Sequence, residues 1–353
     1  MRARPPIRPL AALLCALLPL ACATSPDRAA QPAGEGRAPA AQPAWSDTTR
    51  IAYASRNTSL DQAVRFLGEQ HGVGLVTVQG TDVRAVPALE TERMPYGEFV
   101  AWLAGAVECQ ALREPHYYFL APPGYELLLE TRVDAPLPKP HDRATLSAAF
   151  GFNTLLFNVF ASLTHSTGYT IATDNILGEQ RVGELNVPDA PLARVLEAVL
   201  RSARVAPDGF RAELGPNYLF LASAPNRSLA QPLLNVGDLP AGLRKALDRK
   251  IDLDLPARPA DAAGVPFAPA TLRLADVLPL LSAAFGVEVR ATDAVADLPV
   301  NPCAMRGVRV EDAMRLLIRQ WPLPHYGYEA RAEGLLILAR RIGEHSAPPP
   351  AQP

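Results

Sequence analysis

The chain has 353 residues, 48% of them apolar and 20% charged, enough to build more than one core. A formal net charge of −2 argues against a nucleic-acid binder driven by phosphate neutralisation. The 36 prolines gather between periodic segments, where they mark linkers.

At the N-terminus Arg2, Arg4 and Arg8 flank the start of a short apolar run, "PLAALLCALLPLACA". Residues 1–21 are expected to be an export signal, too short to span a membrane. Leu18-Pro19-Leu20-Ala21-Cys22 resembles the bacterial lipobox, with Pro19 where leucine usually stands. The resemblance implies acylation of Cys22, and Ala23 after it implies the periplasmic face of the outer membrane. The alternative is a non-lipid signal peptide cut after Ala21 or Ala23, with a periplasmic product. Residues 22–47 are rich in Ala and Pro and read as a disordered tether.

Beyond the tether one pattern is written three times. Leu60, Ala63, Val64 and Leu67 form a helical stripe, repeated by Leu156, Val159, Phe160 and Leu163 and by Leu274, Val277, Leu278 and Leu281. Twelve residues after each first leucine stands a glycine, Gly72, Gly168 or Gly286, suited to end the helix left-handed. An alternating strand pattern follows each: Val73/Leu75, Tyr169/Ile171 and Val287/Val289. A second stripe starts 36 residues after each first leucine, at Tyr96, Leu192 and Val310. Closing strands are expected at "ELLL" from Glu126, "YLFLA" from Tyr218 and "LLILA" from Leu335. Leading strands are expected around Ile51/Tyr53, Leu146 and Val265/Phe267. The expected fold is α+β: three small tandem β-α-β-β-α-β-like domains over 48–131, 144–223 and 263–341, each with two helices on one face of a small sheet. Residues 224–262 read as a linker with a short helix and strand within it, and 342–353 as a disordered tail.

"SLDQAVRFLGEQHGVGLV" followed by "MPYGEFVAWLAG" resembles the short N-terminal domain of secretins and TonB-dependent receptors. Trp102-Leu103-Ala104-Gly105 occupies the family's "LLxG"-like end, and the second and third copies fit less closely. The resemblance covers about residues 48–341 and implies domains that work by protein contact. No pore or barrel sequence follows Arg341, so the expectation is the interaction domains without the channel.

Catalytic and metal chemistry find little support. Cys109 and Cys303 fall where the other copies carry apolar residues, so buried thiols in different cores are expected. The six histidines lack ligand spacing; Ser162 and His165 have no third group beside them. Tyr117, Tyr118 and Phe119 are expected in a hairpin turning at Pro122-Pro123-Gly124.

The expectation is a non-catalytic lipoprotein without cofactor, metal or nucleic acid. Its expected role is a scaffold or accessory of a secretin-like or TonB-linked transport assembly, through envelope partners or self-association. The alternative is a signalling adaptor that docks an inner-membrane regulator. The positions singled out are the lipid site Cys22 and the repeat core positions Leu60, Leu67, Gly72, Leu156, Leu163, Gly168, Leu274, Leu281 and Gly286.

Overall fold

A computed structural model describes residues 45–235, 239–256 and 272–340. The fold is α+β, and one order of elements runs through it three times. The first pass comprises β1 (Arg50–Ser55), β2 (Thr58–Ser59), α1 (Leu60–His71), β3 (Leu75–Thr77), β4 (Ala85–Val86), β5 (Leu89–Pro95), α2 (Tyr96–Ala106), β6 (Gln110–Arg113) and β7 (Tyr118–Ala121). The second comprises β8 (Thr145–Phe150), α3 (Leu156–Thr167), β9 (Thr170–Thr173), α4 (Asn175–Gly178), β10 (Leu185–Pro191), α5 (Leu192–Ser202), β11 (Phe210–Leu214) and β12 (Tyr218–Ser223). After α6 (Ala241–Leu247) the third comprises β13 (Lys250–Leu255), β14 (Leu272–Arg273), α7 (Leu274–Phe285), β15 (Glu288–Ala291), α8 (Asp293–Ala296), β16 (Pro299–Val300), β17 (Cys303–Arg309), α9 (Val310–Arg319), β18 (Tyr326–Arg331) and β19 (Gly334–Ala339).

Each pass divides its strands between two ladders rather than placing them in one sheet. The leading strand pairs antiparallel with the strand before the second helix: β1 with β5, β8 with β10, β13 with β17. The strand after the first helix pairs parallel with the last strand, which also takes a hairpin partner. This gives β3-β7-β6, β9-β12-β11 and β15-β19-β18. The parallel step spans the whole second helix, the crossover that parallel strands need. Helix α7 touches both β13 and β15, and α2 touches both β5 and β6, so the helices pack on both ladders.

Several expectations are corrected. "ELLL" is a 3-10 helix, Glu126–Glu130, because β7 has already completed the sheet. A short apolar run does not by itself distinguish strand from helix. The hairpin of Tyr118 and Phe119 turns earlier, where Glu114 N–H donates to Tyr117 O at 2.9 Å. The short helix and strand expected within the linker are α6 and β13, but β13 is the leading strand of the third pass: its alternating burial faces the third core and its partner is β17. Val265 and Phe267 lie outside the described residues. The fold also begins inside the expected tether. Trp45 is buried, edge-on to Tyr96 at 5.2 Å, with the Arg113 guanidinium 4.4 Å above its ring.

The cores are not separate. Strand β10 of the second pass joins β3 of the first, making a five-stranded sheet β6-β7-β3-β10-β8. Val76, Val78, Tyr117 and Phe119 of the first pass therefore share a core with Leu163, Ile171, Leu196 and Leu221 of the second. Likewise Ala172, Tyr218 and Phe220 of the second pass pack with Val277, Leu281 and Met314 of the third.

Candidate functional site

The repeat positions named from sequence serve the interior. Leu60, Leu67, Leu156, Leu163, Leu274 and Leu281 are all at most 1% exposed. Gly72, Gly168 and Gly286 take φ of 61°, 66° and 64° and end α1, α3 and α7. The N–H of each donates to the carbonyl four residues back, at 3.0, 2.8 and 2.9 Å. Cys22 lies outside the described residues. Cys109 packs half-buried on the first core, Cys303 is buried in the third, and both are free thiols. Burial raises the Cys109 thiol and pushes Cys303 up to about 12. His116 is buried, and burial first, then Arg194 and Arg113, lowers its pKa. His165 lies on the surface between Arg306 and Asp254, at 2.7 and 3.4 Å. Among the described residues no three His, Cys, Asp or Glu side chains gather to hold a metal.

The polar chemistry that the sequence did not reveal lies where one pass meets the next. At the first junction the buried Ser202 hydroxyl accepts from Gly183 N–H at 2.9 Å and donates to Thr77 O at 2.8 Å. Its carbonyl accepts from Gln79 N–H at 2.8 Å. At the second junction Gln320 stands at the same repeat position, 46 residues after the first leucine. Its Oε1 accepts from Asn301 N–H at 2.9 Å and its carbonyl from Asn175 N–H at 2.8 Å. Gly183 and Asn301 are equivalent, as are Gln79 and Asn175. In the first pass these places hold Ala106 and Pro87. The acceptor side chain is missing where the donor N–H is also missing.

Fit at the first junction explains a glycine inside a helix, a placement that costs about 1 kcal/mol relative to alanine. Asn186 of β10 comes in against α1 and donates to Val73 O at 2.7 Å. A Cβ on Gly68 would stand 2.7 Å from Asn186 Cγ. Glu184, 4% exposed, accepts from Arg65 Nε and Nη2 at 3.1 and 3.2 Å and from the Phe152 N–H at 2.9 Å.

Three buried charges complete the joints. Asp82 Oδ1 accepts from Thr77 Oγ1 at 2.5 Å and, across the junction, from Glu184 N–H at 2.7 Å. Asp174 caps α4 through Leu177 N–H at 2.9 Å and accepts Ser223 N–H, Ser223 Oγ and Asn226 Nδ2, each at 2.7 Å. The Arg201 guanidinium, fully buried, bonds Tyr117 OH at 2.8 Å, Leu129 O at 2.9 Å and Glu114 at 3.1 Å. Burial first, then Glu114 and Glu197, raises the Tyr117 pKa well above its ordinary value, so its hydroxyl stays protonated. These bonds tie together segments far apart in sequence, while Arg201 Nε and Asn175 Oδ1 stay buried without a partner.

Comparison with protein-family models, curated proteins and solved structures found no match. The site is therefore read on its own chemistry. Its outward-facing parts are strand edges, β11 and β18 at sheet rims and β6 and β8 at the ends of the five-stranded sheet. Exposed apolar side chains include Val83 and Leu323 on loops and Leu127 on the 3-10 helix.

Proposed function

We propose that this chain is a non-catalytic periplasmic lipoprotein, anchored to the outer membrane through Cys22, that serves as a protein-interaction scaffold of a secretin-like or TonB-linked envelope assembly. The reading grows from the lipobox-like sequence and from the resemblance of the first pass to the short domain of secretins and TonB-dependent receptors. The observation that carries it is the use of buried polar groups between passes: Ser202, Asp82 and Arg201 bond the first pass to the second, and the Gln320 carbonyl bonds the second to the third, beside one shared sheet and two shared cores. A rigid array with open strand edges is suited to hold partners by strand addition or face packing.

The test is cross-linking in native membranes through a C-terminal tag, with identification of the captured proteins. Capture of a secretin, pilus or TonB-linked component is expected. A chain that runs alone after gentle extraction, with no adduct, would overturn the scaffold reading. Loss of a transcriptional response on deletion, with transport intact, would transfer the role to signalling.

A further inference from the structure

We infer that the array is closed: its two ends reject one another, so the chain does not extend head to tail through the contact it uses internally. This stands on the junction geometry alone and holds whatever partner the protein serves.

Internally, each junction sets an incoming strand against the strand after the first helix. Leu185 and Asn186 of β10 pair with Val76 and Leu75 of β3. At the second junction β17 lies against β9 and α3, and Arg306 N–H donates to Thr170 Oγ1 at 2.8 Å. The receiving strands are neutral and buried throughout: Leu75, Val76 and Thr77, then Thr170, Ile171, Ala172 and Thr173. On the third pass the equivalent strand is β15. At the places of Thr170 and Ala172 it carries Glu288 and Arg290, both exposed and ion-paired to each other at 2.7 Å. The helix beneath changes in parallel. Phe157 and Thr164 of α3, the helix that β17 packs on, are buried, whereas Ala275 and Ser282 at the same places of α7 are part-exposed.

The leading end differs too. The strand equivalent to β10 and β17 is β5, "LETERMP", with Glu90, Glu92 and Arg93 exposed. Glu90 occupies the place of Asn186 and of Ala304, which is 1% exposed. Ala106 stands where Ser202 and Gln320 make the polar strap. Docking β5 of a second copy on β15 would bury Glu90 opposite Val289 and cover Glu288 and Arg290, with no strap in return. Charges taken from water without full pairing oppose association. Charged edges are also how strands avoid pairing with other chains, and terminal repeats of an array need a polar outer face.

The test is sedimentation of the full chain in density-matched detergent across a hundredfold range of concentration, with cross-links mapped between β15 and β5. The wild-type chain is expected to give no β15–β5 cross-link and no concentration-dependent growth attributable to that contact. The variant E90N/E288T/R290A, with junction residues restored, is expected to form head-to-tail oligomers carrying that cross-link. A circular-dichroism melt confirms that it folds. Mixing E90N chains with E288T/R290A chains, expected to give a heteromeric pair, provides a second readout. Head-to-tail wild-type oligomers with β15–β5 cross-links, or folded variants that never associate, would overturn the inference.

Discussion

Replacing Ser202 by alanine removes one oxygen from the first junction and nothing else. Ser202 is fully buried, and its hydroxyl alone satisfies the buried Gly183 N–H while also bonding Thr77 O. An orphaned buried donor costs about 1–3 kcal/mol, and the lost bond to Thr77 adds about 1, giving roughly 2–4 kcal/mol. The bond from Gln79 N–H to the Ser202 carbonyl survives, so the junction should loosen without coming apart. For a body of this size the loss is worth about 3–7 °C in Tm. The assay is urea and thermal unfolding of S202A beside S166A, whose hydroxyl bonds Ser162 O on the exposed face of α3 at 3.0 Å. S166A should stay within about 0.5 kcal/mol of wild type. Native-state hydrogen exchange at Gly183 should accelerate in S202A alone. Equal stability of the two variants, with Gly183 protection unchanged, would refute the assignment of Ser202 as the joint.

Three further outcomes follow from the same packing. Leu163→Ala, in the core shared by the first two passes, is expected to cost about 2–5 kcal/mol and to weaken amide protection in β3 and β7 together with β9. Protection lost in the second pass alone would mean that the cores act separately. The Cys303 thiol is held protonated by burial, up to about 12, against an ordinary value of 9.0. A raised thiol pKa leaves stability intact while both states are protonated, then reduces it as the unfolded chain ionises. Unfolding free energy should therefore fall as pH rises from about 9 towards 12, and a Cys303→Ala chain should show a shallower slope, the remainder coming from Cys109 and from tyrosines such as Tyr117 and Tyr328 that burial also raises. Disulfide-exchange reagents at neutral pH should modify half-exposed Cys109 long before Cys303.

Local periodicity made the repeat legible. The three leucine stripes, the glycine at the end of each first helix and the constant step to the second helix all depend on residues close in sequence. What escaped depends on distance. Strand β13 alternates as plainly as any, yet it lies 19 residues before α7, whereas β1 and β8 lie 5 and 6 residues before their helices. The longer gap hid the equivalence. Ser202 and Gln320 stand in sequence only as polar residues at the ends of buried helices; each bonds one partner in its own pass, Gly183 or Asn301, and one over a hundred residues away in another pass. Charge at β5 and β15 was visible throughout, but its meaning required knowing which strands the junctions use.

The pairing of β3 with β10 also sets the order in which this protein matures. Thr77 and its junction partner Glu184 are separated by 107 residues, about 5–20 s of synthesis. During that interval the first pass can close β3 on β7, but one flank of the strand and its neighbours Val76, Val78 and Phe119 have no cover. The second pass stands in the same relation to the third. The nascent chain thus carries a sticky edge that moves along with elongation, and each new pass quenches the one before it. A chain halted after α3 should be the form that aggregates and calls for a chaperone.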